Sequence, residues 1–287
     1  MTARNNEDRV GAVPASPPPP SLEQPRAQNE STFSFTTPTE FVELPSAGRY
    51  YSGEHPLHGV DTLEIRYMTA KDEDILTSRS LLKKGVAIER MLENILVNKN
   101  VNVDDLLVGD KNALIVAARV TGYGEDYETK IVCPACTETV GYTFDLTEKK
   151  LNAGGEITAY NVRETESGTF TIELPVSKVN LEVRFLTGAD EKKLAQIAEN
   201  RKKHNLSEAV LTDQFRLMIA SVNGDSKMET IGSFIDAMPA KDSRHLRLMY
   251  TAIMPNVELN QSFTCSSCGY EEEVDVPFTA DFFWPRR

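Results

Sequence analysis

The sequence lacks the features that mark several large classes of protein. It has no apolar run of about 18 residues, which is the length that a transmembrane helix needs. Its first residues do not show the charged-then-apolar pattern of a secretory signal. Neither a G-x-x-x-x-G-K-[ST] phosphate loop nor a G-x-G-x-x-G turn occurs. We therefore expect a cytoplasmic protein with no membrane partner and with no nucleotide site of these two kinds.

Positive charge is scarce as well. The 287 residues include 31 Lys and Arg against 43 Asp and Glu, which gives a formal net charge of −12. Surfaces that bind nucleic acid concentrate Lys and Arg on one face because the phosphate backbone is anionic. The sequence contains no basic run, so nucleic acid is not the expected partner.

Catalytic groupings are equally hard to find. Ser80 and Lys83 match the pattern S-x-x-K, but the further motifs of the enzymes that use this pattern do not occur. His55 and His58 have H-x-x-H spacing in a loop rich in Gly and Pro, which leaves a second metal site open as an alternative there. No constellation pairs a nucleophile with a base, and we expect that the protein is not an enzyme.

The chain has only four cysteines, and they form two C-x-x-C pairs. The pairs are Cys133-Pro134-Ala135-Cys136 and Cys265-Ser266-Ser267-Cys268. Two such turns supply the four thiolates of a tetrahedral zinc site, with no cysteine left over. We therefore predict one zinc per chain. We expect it to be structural, because a zinc with four thiolate ligands has no open position for a reacting water.

Two other interpretations of the cysteines stay open. Redox-active C-x-x-C sites belong at a helix N-terminus, whereas both pairs here lie between predicted strands. Disulfides need an oxidising compartment, and nothing in the sequence indicates secretion. Gly269 follows the second pair and suits the left-handed backbone of such a turn, so Thr137 at the matching position predicts a less regular first turn.

The two cysteine pairs end two stretches of similar pattern. Residues 41–45 and 63–69 predict two short strands, and residues 171–175 and 181–187 predict two more. Each pair of strands leads to a threonine at a helix N-cap, with an aspartate three residues later. These capping residues are Thr69 with Asp72 and Thr187 with Asp190.

Helices follow in both stretches. One-sided apolar stripes predict helices over residues 88–96 and 211–222. A last helix opens near Asp110 and near Asp242, each 23 residues before the first cysteine of its pair. We interpret the chain as a tandem duplication. The predicted fold class is α+β, with two pseudo-repeats of short strands, helices and a cysteine knuckle, joined by one shared zinc ribbon.

The predicted domains are a tail and two halves. Residues 1–38 are rich in Pro with little to bury, which predicts a disordered tail that acts as a spacer, with docking on an aromatic groove as the alternative. Residues 39–153 and 154–287 form the two halves, each with one cysteine pair. Near the end, Phe282, Phe283 and Trp284 crowd apolar surface together. They are predicted either to fold back over the core or to anchor a partner, since clustered aromatic side chains dominate interfaces.

Several strings of residues resemble the baseplate hub family of T4-type bacteriophages. Besides the two cysteine pairs, they are Tyr67-Met68-Thr69-Ala70-Lys71-Asp72-Glu73-Asp74-Ile75-Leu76, Leu106-Leu107-Val108-Gly109-Asp110-Lys111-Asn112 and Thr279-Ala280-Asp281-Phe282-Phe283-Trp284-Pro285. The likeness covers about residues 41–284. It implies a role in building the centre of a contractile-tail baseplate, with other hub proteins as partners, in the cytoplasm of the infected bacterium. It brings no catalytic residues.

The resemblance leaves two classes of role open. A transient assembly factor that leaves before maturation is favoured slightly by the acidic balance and the mean hydropathy of −0.35. A permanent subunit of the virion tail baseplate is the alternative, and it would expose large apolar interfaces. A zinc-ribbon module that binds nucleic acid is a third, remote class, against which the net charge argues.

Overall fold

Short strands and amphipathic helices share the chain in the computed structural model, which describes residues 36–277 and 280–283. The described residues from Thr37 onward form one compact unit. The strands are β1 (Thr39–Glu43), β2 (Thr62–Arg66), β3 (Asp126–Val132), β4 (Thr139–Asp145), β5 (Lys150–Asn152), β6 (Arg163–Glu164), β7 (Phe170–Glu173), β8 (Asn180–Val183), β9 (Ile219–Val222), β10 (Asn256–Glu258), β11 (Asn260–Thr264) and β12 (Glu271–Asp275). The predicted tail up to residue 35 and Trp284 lie outside the described residues.

Helices fill the intervals between these strands. The α-helices are α1 (Ala70–Thr77), α2 (Arg79–Lys84), α3 (Ala87–Ile95), α4 (Val108–Tyr123), α5 (Gly188–Lys203), α6 (Val210–Met218), α7 (Met228–Ala237) and α8 (Ala240–Ile253). Short 3-10 helices cover Val103–Asp105, Thr158–Tyr160 and Ala280–Phe283. Within the described part of the chain, no helix is both long enough and apolar enough to cross a membrane.

The sheets are small and antiparallel. One four-stranded sheet has the order β6-β7-β8-β9, and the other strands pair as β1-β2, β3-β4, β5-β10 and β11-β12. Small antiparallel sheets mixed with helices make the fold α+β, and this part of the predicted fold class is confirmed. The pairing of β5 with β10 joins residues from both predicted halves of the sequence.

The two helix caps form as the sequence predicts. α1 begins after Thr69, whose backbone N–H donates to Asp72 Oδ2 at 2.8 Å in a capping box. α5 begins after Thr187, whose backbone N–H donates to Asp190 Oδ2 at 3.1 Å in the same arrangement. Each box satisfies N–H groups that have no partner within the first turn of the helix.

Each capping aspartate also binds an arginine that lies six residues earlier. Arg66 donates to both carboxylate oxygens of Asp72 at 2.7 and 2.9 Å. Arg184 does the same to Asp190 at 2.7 and 3.0 Å. Burial raises the pKa of Asp72, but the hydrogen bonds from Arg66 and Thr69 outweigh it and lower the pKa to about 2. Each cap therefore ties its helix to the strand segment that precedes it.

Helix α4 lies in a hydrophobic core that draws on both halves of the chain. Ten of its sixteen residues are buried. At its start the backbone pairs with the other half, where Val108 N–H donates to the Leu186 carbonyl at 3.1 Å. Gly109 allows this close packing, because a Cβ there would lie 1.8 Å from the Pro255 carbonyl oxygen. The core therefore joins residues from both predicted halves through main-chain contacts as well as side chains.

One predicted helix is shorter than the sequence pattern indicates. The apolar stripe over residues 211–222 predicts one helix, but α6 ends at Met218 and β9 begins at Ile219. The β-branched Ile219 and Val222 pair with β8 instead, in register with Val183 and Leu181. The prediction of a helix through Val222 is therefore wrong, because sheet pairing overrides the local periodicity.

Candidate metal centre

Both C-x-x-C pairs lie in the turns of β-hairpins. Residues 133–136 connect β3 to β4, and residues 265–268 connect β11 to β12. The Cys133 carbonyl accepts a hydrogen bond from Thr137 N–H at 2.9 Å, and the Cys265 carbonyl accepts one from Gly269 N–H at 2.9 Å. Neither pair lies at a helix N-terminus, the setting that redox-active pairs use.

The residue after each pair has a left-handed backbone. Gly269 has φ of 72°, and Thr137 has φ of 60° at the matching position. The expectation of a less regular first turn is therefore wrong, because the hydrogen bonds of the knuckle hold Thr137 in the conformation that Gly269 adopts freely. A β-branched residue in this region is strained, since its Cβ crowds the backbone.

The four sulfur atoms form one cluster. All of them lie within 4.8 Å of one another. Cys133 Sγ is 3.8 Å from Cys268 Sγ, and Cys136 Sγ is 3.7 Å from Cys265 Sγ. Tetrahedral zinc with bonds to sulfur of about 2.3 Å requires sulfur separations of about 3.8 Å, so the donor set fits that ion. All four cysteines are free, so no disulfide joins them.

An apolar patch and cross-hairpin contacts surround the cluster. Cys133 and Cys265 are buried and pack with Val140 and Phe263. Tyr142 on β4 donates its hydroxyl hydrogen to the Ser262 carbonyl on β11 at 2.8 Å, and its ring meets Phe263 edge-on. These contacts hold the two hairpins side by side and surround the sulfur atoms with packed side chains.

The thiols do not ionise equally. The backbone N–H of Cys268 and then that of Ser267 stabilise the Cys265 thiolate and lower its pKa to about 7. The backbone N–H of Glu138 favours the Cys136 thiolate, but desolvation and the three neighbouring sulfurs outweigh it and raise the pKa to about 12. Four thiolates at this spacing need a bound cation to offset their mutual repulsion.

The structure gives His55 and His58 local partners instead of a shared ligand. His55 Nδ1 accepts from Leu57 N–H at 3.1 Å, and its ring stacks on Tyr51. His58 Nδ1 donates to the Tyr51 carbonyl at 2.8 Å. Among the described residues, the four cysteines are the only group of three or more candidate metal ligands.

Phe282 and Phe283 are buried in the core. Each is 2% exposed, and the Phe282 ring meets Tyr127 edge-on at 5.1 Å. The Phe282 carbonyl accepts a hydrogen bond from Arg119 Nε at 2.7 Å. This burial favours folding back over docking for these two rings, while Trp284 lies outside the described residues. Sequence reasoning missed Arg119, which nothing distinguishes from a surface arginine.

A known protein family matches most of the chain. The family model described as T4 bacteriophage base plate protein matches residues 37–284. The chain therefore belongs to the family of T4-type phage baseplate proteins, as the residue strings predict. Comparisons with curated proteins and with solved structures return no significant match.

Proposed function

We propose that the protein is a non-enzymatic factor in the assembly of the central hub of a phage tail baseplate. The match to the baseplate family over residues 37–284 carries this proposal. A cluster of four thiolates leaves no coordination position for a substrate, which supports a structural role for the one candidate metal centre of the described residues. Its expected partners are other baseplate and tail hub proteins, in the infected cytoplasm and at the tail.

The metal of the proposed clasp is zinc. The sulfur spacing and the all-cysteine donor set support it, because soft thiolates in tetrahedral geometry favour this ion. Protein purified under reducing, chelator-free conditions should contain one zinc per chain by elemental analysis. A value of none, or of two, would contradict a single clasp.

The clasp joins two halves that we infer to be a tandem duplication. The two arginine–aspartate caps have the same spacing and the same bidentate geometry. Asp110 in α4 accepts from Ser46 N–H at 3.0 Å, and Asp242 in α8 accepts from Val176 N–H at 2.8 Å. In both cases the donor follows a Leu-Pro that comes directly after a strand. Zinc shared between such halves would couple their folding.

The role as a transient factor is tested by following the protein through infection. Quantitative mass spectrometry of purified phage particles and of infected-cell lysate measures its ratio to known tail proteins. A transient factor is abundant in the lysate and absent from particles. Retention in particles at a fixed ratio would instead make it a permanent subunit of the baseplate.

A further inference from the structure

Helix α8 presents two arginines that have no partner among the residues that the structure describes. Arg244 and Arg247 are exposed and make no hydrogen bond or ion pair within the described chain. Most other arginines of the described chain bind a carboxylate or a carbonyl. The two residues are three positions apart, so their side chains leave one face of the helix about 5–6 Å apart.

The two arginines border a shallow cavity of about 380 Å³ between α6 and α8. Its lining residues are Gln214, Met218, Arg244, Arg247, Leu248, Tyr250 and Thr251, and none of them is acidic. Met218 and Tyr250 are almost fully buried, whereas Leu248 is 56% exposed at the surface. The cavity thus has a mixed polar and apolar lining, and it lies beside the exposed Leu248 and two arginines with no carboxylate partner among the described residues.

The matching face of α4 has a different character. Asp110 corresponds to Asp242, and the same offset places Ile115 at the position of Arg247 and Val116 at that of Leu248. Ile115 and Val116 are buried by the chain itself. The described residues leave the corresponding face of α8 exposed, and it carries two arginines although the chain has a net charge of −12.

We propose that this face of α8, formed by Arg244, Arg247, Leu248 and the cavity beside them, docks an acidic segment of a partner protein that also carries an apolar side chain. Carboxylates suit the planar donor pattern of arginine, and an apolar side chain suits the cavity. A nucleic acid fits less well, because such binding uses a broad set of cations and the rest of this chain would repel it. The proposal rests on the proposed role in assembly, which requires a protein partner.

A defined peptide tests the surface directly. The probe is a short fluorescein-labelled Gly/Ser peptide with several glutamates and leucines, titrated with the full-length protein at low salt and followed by anisotropy. We expect saturable binding that weakens at high salt. The double variant R244E/R247E should bind at least about tenfold more weakly, from the loss of two charge-assisted contacts. The same peptide with glutamine in place of glutamate should not bind.

The matched control is K83E/K84E on α2, which changes the net charge equally at exposed lysines far along the sequence. It should retain binding within about twofold, because neither lysine lines the cavity beside α8. Equal losses in both variants, equal binding by R244E/R247E and wild type, or no saturable binding would overturn the proposal. Circular dichroism checks that each variant is folded.

Two further outcomes would assign the face to another occupant. Tighter binding of single-stranded oligothymidine that requires Arg244 and Arg247 would make it a nucleic-acid site. Self-association that R244E/R247E abolishes, and with which the peptide does not compete, would make it an interface between copies. The peptide titration does not depend on whether the protein enters the particle. A negative result for the docking surface can therefore be distinguished from a negative result for the assembly role.

Discussion

Helices α4 and α8 begin in a similar way but differ in how much of each is buried. Both contain an aspartate near their start that accepts hydrogen bonds from the segment after a strand. Ten residues of α4 are buried against five of α8, so the described part of the chain encloses the first helix more fully than the second. Under the proposed duplication, one copy of the helix has become part of the core. The other remains at the surface, where it is free to serve a partner.

The two cysteine knuckles show the opposite relation, because different residues reach the same geometry. Both turns have the same hydrogen bond to the first cysteine carbonyl and a left-handed residue after the second cysteine. A shared metal requires both turns to present sulfur in one tetrahedron, so their geometry is constrained from outside. The helices have no such shared constraint, so under the proposed duplication and zinc clasp we expect them to differ more than the knuckles do.

The largest expected effect comes from removing one sulfur of the clasp. Cys133→Ser and Cys265→Ser should each destabilise the protein by on the order of 5 kcal/mol, because binding energy of zinc contributes to folding. The loss should be similar for both, since each half supplies one buried ligand. Hydrogen exchange during urea unfolding measures whether both halves open together. Ser266→Ala, beside the ligands, is the control and should change little. Two separate transitions would show that the metal does not couple the halves.

Matched substitutions in the two helix caps should differ in their loss of stability, unlike the matched cysteine substitutions in the two knuckles. Asp72→Asn removes a buried carboxylate that binds Arg66 and also accepts from Asn94 Nδ2 at 2.6 Å. Asp190→Asn removes one that binds the more exposed Arg184. We expect losses of about 3 and about 2 kcal/mol, because an unpaired arginine is costlier where it is less hydrated. Chemical denaturation of both variants gives the two values. Equal losses would contradict the ranking.

Acid should act on the same caps. The folded-state pKa of Asp72 is about 2, below the value of about 3.9 in an unfolded chain. Its contribution of about 2 kcal/mol is therefore present above pH 4 and is lost as pH falls towards 2. The pKa of Asp190 is lowered too, by the same kind of hydrogen bonds against desolvation, so it weakens in the same direction. Unfolding free energy measured from pH 6 to pH 2 should fall less steeply for Asp72→Asn. An unchanged slope would contradict this assignment.

Local patterns in the sequence predict the parts of the fold that depend on local contacts. The caps at Thr69 and Thr187, the starts of α4 and α8 and the two knuckles all follow from spacings of a few residues. The grouping of the four cysteines is predictable as well, because two C-x-x-C pairs leave no spare cysteine. Each of these features depends on residues that lie close together in the sequence.

Features that depend on distant contacts are not predictable in this way. The end of α6 at Met218 is set by pairing of β9 with β8. The burial of Arg119 depends on carbonyls that include that of Phe282, 163 residues away. The basic face of α8 cannot be told in sequence from an ordinary solvated helix face. Its binding role depends on which of its arginines form ion pairs in the folded chain. Three-dimensional packing supplies that information.

The smallest expected effect concerns the residue after each cysteine pair. Thr137→Gly should stabilise the protein by about 0.5–1 kcal/mol, because glycine removes the strain of a β-branched residue at positive φ. Gly269→Thr should destabilise it by about 1–2 kcal/mol for the converse reason. Thermal unfolding of the metal-loaded variants measures both, with Thr139→Gly in β4 as the control, where glycine should only destabilise. If Thr137→Gly is destabilising as well, the first knuckle gains more from contacts of the Thr137 side chain than it loses in backbone strain. The two knuckles would then be alike in shape but not in what stabilises them.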